Sequence, residues 1–136
     1  MSKIVEKKVE EFTVAVMVAQ AKSEIEECNL STVEKAIENS SHLIIDVREP
    51  EEFALGHIGN AINIPRGVLE FRTDTSYPGA VQSLSDKSAN IVLYCRSGAR
   101  SALAAHSLYK MGYKAVMSMA GGFIAWQEAK LPINSK

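Results

Sequence analysis

Short apolar runs alternate along this chain with stretches of helical character, and that alternation restricts the fold more than any other feature. Residues 42–47 (HLIIDV), 61–64 (AINI), 90–94 (NIVLY) and 115–119 (AVMSM) read as strands. The first of these has no polar alternation, as expected for a strand buried on both faces of a parallel sheet. Between them lie helix signals. Ser31-Thr32-Val33-Glu34 has the form of a capping box, starting a short helix through Ile37. Pro50-Glu51-Glu52-Phe53 opens another, with proline in the first turn and acids facing the helix dipole, and Gly56 closes it. A helical turn is expected over 68–71, a Tyr77-Pro78-Gly79 turn after it, a helix over 102–111 ended by Gly112, and a final helix over 123–129 behind the Gly121-Gly122 turn. Strands alternating with helices imply βαβ units: an α/β fold with a parallel sheet covered on both faces.

The 136 residues suffice for one domain with its own core, and 46% hydrophobic with 23% charged residues is ordinary for a globular chain. Fifteen basic and sixteen acidic residues leave a formal charge of -1. Such a balance supplies no field for nucleic acid or an anionic membrane, so neither is expected as a partner, and any attraction for an anion must be local. No run approaches the roughly 18 apolar residues needed to span a bilayer. Residues 12–21 (FTVAVMVAQA) end like a signal-peptidase site, but Lys3, Lys7 and Lys8 are offset by Glu6, Glu10 and Glu11. Val9, Phe12, Val16 and Ala19 recur at helical spacing, so this stretch reads as an amphipathic docking helix, and the expected location is cytoplasmic. With Cys28 and Cys95 alone and no CxxC pair, neither a disulfide framework nor a zinc site is expected.

The strand at 90–94 runs straight into Cys95-Arg96-Ser97-Gly98-Ala99-Arg100-Ser101, at the sheet end where α/β folds bind ligands. Gly98 lets the loop curl tightly, which turns successive N–H groups inward as an anion-binding nest, and the helix start beyond adds its positive dipole end. Cysteines in such settings have pKa values lowered to about 3.5–7.5, making Cys95 the expected nucleophile. Arg96, Ser97, Gly98, Ala99, Arg100 and Ser101 are the expected anion-binding residues. Cys28 follows Glu26-Glu27 with no basic neighbour and is expected to be structural.

Tyr94-Cys95-Arg96-Ser97-Gly98-Ala99-Arg100-Ser101 resembles the active-site loop of the rhodanese family. Asp46-Val47-Arg48-Glu49-Pro50-Glu51-Glu52-Phe53, then Gly56-His57-Ile58-Gly59-Asn60-Ala61 and Asn63-Ile64-Pro65, resemble its amino-terminal signature, and Gly121-Gly122-Phe123-Ile124-Ala125-Trp126 its carboxyl-terminal one. The resemblance covers about residues 30 to 133, so the chain divides into an N-terminal helical extension over 1–28 and a rhodanese domain over 29–136. It implies a central five-stranded parallel sheet with helices on both faces, plus the extra N-terminal helix. It also implies a sulfurtransferase without a cofactor. Cys95 takes sulfane sulfur from a small anionic donor such as thiosulfate and passes it, as a persulfide, to an acceptor: cyanide in an assay, a partner protein elsewhere. Arg96 directly after the cysteine is similar to thiosulfate-using members.

Two rival readings follow from the same loop. A persulfide carrier or regulatory module acting with a partner protein differs in partner more than in chemistry. A cysteine-dependent phosphatase or arsenate reductase places arginine six positions after the cysteine; here Ser101 stands there and the arginine is Arg100. The shorter loop suits a single sulfur better than a tetrahedral phosphate, and no acid is placed for a leaving alkoxide. Arg66, after Pro65 at a strand's end, is a further candidate for holding the donor, with a surface salt bridge as its competing role. Asp46 is expected to pair with Arg48 or with backbone, His57 to be structural, and Phe123 with Trp126 to form a core face of their helix. The N-terminal helix must cover its own sheet or a second subunit, so monomer and homodimer are both open.

Overall fold

The computed structural model describes residues 11–135. It holds β1 (Glu26–Cys28), β2 (Leu43–Asp46), β4 (Ile62–Asn63), β5 (Asn90–Tyr94) and β6 (Ala115–Met119) in one sheet, ordered β1-β6-β5-β2-β4 with every pairing parallel. The short β3 (His57–Ile58) pairs antiparallel with β7 (Ile133–Asn134) in a separate two-stranded piece. The helices are α1 (Val14–Lys22), α2 (Leu30–Glu38), α3 (Pro50–Leu55), α4 (Leu69–Thr73), α5 (Ala99–Lys110) and α6 (Gly122–Glu128). Among the described residues, no helix is long and apolar enough to cross a membrane.

The period-2 alternation of β5 divides the core. Ile91, Leu93 and Cys95 face one layer with Leu69, Ala104 and Leu108 of α4 and α5. Val92 and Tyr94 face the other, with Val33 and Ala36 of α2 and Phe123 and Trp126 of α6. Helices on both faces are thus the expected architecture, with Phe123 and Trp126 buried as anticipated.

Several local expectations change. The cap of α2 is Asn29, whose Oδ1 accepts from Thr32 N at 2.9 Å, so Ser31 and Glu34 lie inside the helix and no Ser31–Glu34 capping box forms. An extended asparagine reaches the third amide as well as serine does, and it comes first along the chain. Helix α5 begins at Ala99 rather than 102, because Gly98 takes a left-handed φ of 108° that turns the chain directly into the helix. Residues 26–28, read with the helical extension, form an edge strand against β6. Helix α1 does lie against α5, with Val16 of the expected stripe half-buried, but Phe12 and Ala19 are exposed and Val18 and Ala21 are covered in their place. Val9 lies outside the described residues.

The order of strands locates the crevice. The chain leaves β5 toward β6 and leaves β2 toward β4, on opposite sides, so the sheet opens between the carboxyl ends of β5 and β2. Cys95 and Val47–Arg48 begin the two loops there.

Candidate functional site

Cys95 follows the last residue of the central strand and is buried, 1% exposed. The amides of Gly98 and Ser101 donate to its Sγ at 3.1 and 3.3 Å, and Ser101 Oγ lies 3.5 Å from the sulfur. Ser101 is the third residue of α5, so its N–H is one of those the helix leaves without an internal partner. The sulfur therefore sits by the N-terminal end of a 12-residue helix, facing two N–H dipoles, a setting that suits a negatively charged sulfur. Ser101 Oγ is in turn 2.8 Å from Ser118 Oγ, and both serines are fully buried.

The outer side of the loop is seated on α6. Phe123 N donates to Cys95 O at 2.8 Å and Ile124 N to Arg96 O at 3.0 Å. This approach requires Gly122: a Cβ there would collide with the carbonyl of Arg96 and come within 2.7 Å of Ser97 N, and its φ is already left-handed at 63°. The Gly121-Gly122 pair is thus the seat of the cysteine loop as well as a turn.

Arg96 and Ser97 are exposed on the lip of the loop. Arg100 is not free. Its Nη1 and Nη2 donate to Glu52 Oε1 and Oε2 at 2.9 and 3.1 Å, a two-pronged pair between the starts of α5 and α3. Glu52 Oε1 also accepts from Glu49 N at 2.9 Å, the reciprocal half of a capping box on α3. Hydrogen bonding from Arg100 is the main cause holding the Glu52 carboxyl down to about 2. Beside the loop, Arg48, Glu52, Leu55, Arg96, Phe123 and Ile124 line most of a cleft of ≈ 240 Å³.

Beneath the site a polar frame ties β2 to β3 and β5. Arg48 Nη2 donates to Asp46 Oδ2 and to Gly56 O, both at 2.7 Å, with the guanidinium 4.3 Å from the centre of the Phe123 ring. Ile58 N donates to Tyr94 Oη at 2.9 Å. Burial, then the nearby Asp46 charge, pushes the Tyr94 hydroxyl well above the usual tyrosine range. Asp46 and Arg48 are paired as expected. His57 has its structural role, stacked on Phe53 with ring centres 3.9 Å apart. Arg66 is engaged elsewhere: Nη1 donates to Glu70 and Nη2 to Ser107 Oγ at 3.0 Å, which is the salt-bridging role. Cys28 packs on the opposite core face from Cys95. Burial, with Glu26 and Glu27 adding to it, pushes its thiol up to about 11.

The structure thus brings Cys95, Gly98 and Ser101 together, keeps Arg96, Ser97, Ala99 and Arg100 around them, and does not bond Arg66 to that loop among the described residues. Sequence reasoning missed Glu52 and Ser118 as neighbours of the site. Ser118 carried a weak signal, a hydroxyl in an otherwise apolar strand. Glu52 carried none, since its partner lies far along the chain. Among the described residues, no cluster of three or more His, Cys, Asp or Glu is arranged to hold a metal.

Comparison with known proteins places this geometry. The family model for the rhodanese-like domain matches residues 29–129. The chain is 38% identical over 96 residues to thiosulfate sulfurtransferase 16, chloroplastic, of Arabidopsis thaliana, covering 68% of this chain and 80% of that protein. It is also 38% identical over 91 residues to a sulfurtransferase of Allochromatium vinosum, covering 67% and 77%. Among solved structures, a Rhodopseudomonas palustris protein of unknown function, described as a possible tyrosine phosphatase, superposes with a TM-score of 0.84 at 33% identity. That match covers 94% of this chain and 98% of the other.

Proposed function

The chain belongs to the rhodanese-like family, and from that premise we propose that it is a sulfurtransferase carrying sulfane sulfur on Cys95. The Cys95 thiolate attacks the outer sulfur of a thiosulfate-like donor. The donor's S–S bond breaks with its electron pair on the departing sulfite, and the new S–S bond leaves a persulfide anion on Cys95. A nucleophilic acceptor, cyanide in an assay or a thiolate of a partner protein, then attacks the terminal sulfur and returns Cys95 to the thiolate. Charge is conserved in both steps, so a thiolate already formed needs no general base.

The observation that carries this reading is the convergence of the Gly98 and Ser101 amides on Cys95 Sγ. Those donors serve the starting thiolate and, with small movements, the persulfide that replaces it. Arg96 and Ser97, exposed at the lip, meet the incoming donor. Arg66 is left out of the donor site, because Glu70 and Ser107 take both of its terminal nitrogens.

The experiment is an intact-mass measurement after incubation with thiosulfate. The protein should gain one sulfur atom, Cys95→Ser should abolish the gain, and Cys28→Ser should leave it. A persulfide on Cys28 alone would sink the assignment. The likeness to a possible tyrosine phosphatase makes p-nitrophenyl phosphate the second substrate to try. Turnover well above background, without sulfur loading, would replace the sulfurtransferase reading with phosphoryl transfer.

A further inference from the structure

We propose that Glu52 is a specificity-determining residue: by holding both terminal nitrogens of Arg100, it keeps the Cys95 loop from retaining tetrahedral oxyanions that carry no transferable sulfur, such as sulfate and phosphate. The link to donor choice rests on the sulfurtransferase reading above; the retention of anions is a property of the loop itself.

The amides of Gly98 and Ser101 are already aimed at one sulfur atom. A tetrahedral oxyanion needs further donors around its edge, and a free guanidinium is the side chain whose planar fork matches that edge. Arg100 stands next to Ser101, whose amide donates to Cys95 Sγ, in the first turn of α5. Its fork is filled by Glu52 instead, at 2.9 and 3.1 Å. Glu52 is itself held, since Oε1 also accepts from Glu49 N at the start of α3. The carboxylate is thus a fixed anion rather than a mobile surface group.

Stability alone is a poor account of this pair. The two side chains are 36% and 32% exposed, and ion pairs at that depth contribute little to folding. Position accounts for it better. Arg48, Glu52 and Arg96 line the same cleft beside the loop. Arg48 is paired with Asp46 and Gly56 O, so an anion arriving there meets the exposed Arg96 guanidinium and the Glu52 carboxylate. These opposed charges leave discrimination to the Gly98 and Ser101 amides, which select for sulfur at Cys95 rather than for a multiply charged oxyanion.

Glu52→Gln separates the charge from the scaffold, because glutamine keeps the length and the acceptor for Glu49 N. The probe is inorganic sulfate, and the readout is the concentration that half-protects Cys95 from iodoacetamide at fixed ionic strength. Restoring one charge-assisted contact corresponds to a change of about tenfold or more. The half-protecting concentration should fall by at least that factor in Glu52→Gln and return toward the wild-type value in Glu52→Gln/Arg100→Gln. Glu52→Ala should shift it in the same direction as Glu52→Gln. Equal protection in wild type and both single variants would overturn the proposal, as would a gain that survives loss of the Arg100 guanidinium. Failure of thiosulfate to load Cys95 in the wild-type protein would remove the sulfurtransferase reading while the sulfate comparison still stood.

Discussion

Gly122→Ala is the substitution on which the seating of the cysteine loop can be tested most sharply. Gly122 has a φ of 63°, and a methyl group there meets the Arg96 carbonyl and lies 2.7 Å from Ser97 N. The obstacle is backbone, so no side-chain rotation relieves it. The left-handed conformation costs an alanine about 1–2 kcal/mol. Forcing one carbon into a packed site costs about 1–3 kcal/mol more. Together these predict a loss of about 2–5 kcal/mol, and more if the bonds from Phe123 N to Cys95 O and Ile124 N to Arg96 O are also broken. With a urea slope of about 1–3 kcal/mol/M, the unfolding midpoint should fall by about 0.7 M or more. Gly59→Ala is the matched control, because its Cβ would meet only Ile37 Cγ2, at 4.0 Å, with no left-handed φ. Thiosulfate loading of Gly122→Ala, measured by intact mass under conditions where it remains folded, should be lost along with the register of Gly98 N on the sulfur. A Gly122→Ala midpoint indistinguishable from that of Gly59→Ala would refute the argument that the loop rests on a position only glycine can occupy.

Two further outcomes follow from the site's polar contacts. The Glu52 carboxyl drops from its ordinary value of 4.5 to about 2 in the folded protein, chiefly through Arg100. A depressed folded value means the pair's stabilisation is complete above pH 4.5 and is lost as pH falls toward 2. The difference in urea midpoint between wild type and Glu52→Gln, kept small by the exposure of both side chains, should therefore shrink across that interval and stay constant from pH 5 to 7; a constant non-zero difference down to pH 2.5 would contradict it. Ser118→Ala removes the buried partner of Ser101 Oγ, 2.8 Å away, and should cost about 1–3 kcal/mol in urea unfolding. It should also slow sulfur loading, because the hydroxyl beside Cys95 loses its second anchor.

How much was legible in advance differs from element to element. The strands 90–94 and 115–119 have the bounds read from their apolar runs; burial of residues 91–94 on both faces leaves little room there for any other residue type. The cysteine loop was legible for a related reason: a glycine three residues after a cysteine, at a strand's end, has few uses besides a tight anion-binding turn. Capping was less legible. Asn29 and Ser31 are both good caps, and the choice between them depends on where the chain leaves β1, an edge strand too short and too acidic to announce itself.

Charge pairing was the least legible part. Glu52 read locally is one of two acids at a helix start, and Arg100 one of two arginines in a loop. Their union depends on β2 and β5 lying side by side, which brings the turns that follow them to the same sheet end. Arg66 shows the converse, an arginine placed by sequence near the right end of a strand but turned by packing toward Glu70 and Ser107. Sequence by itself determined the layered α/β architecture and singled out Cys95, at a strand's end just ahead of Gly98, as the expected nucleophile. Both rest on apolar periodicity and on backbone angles open to glycine, properties carried by residues close together in the chain. Only the tertiary structure decided which charges face the sulfur and which are spent on one another. Coulombic and hydrogen-bond partners are chosen by distance in space, and residues 48 apart in sequence have no local feature that records it.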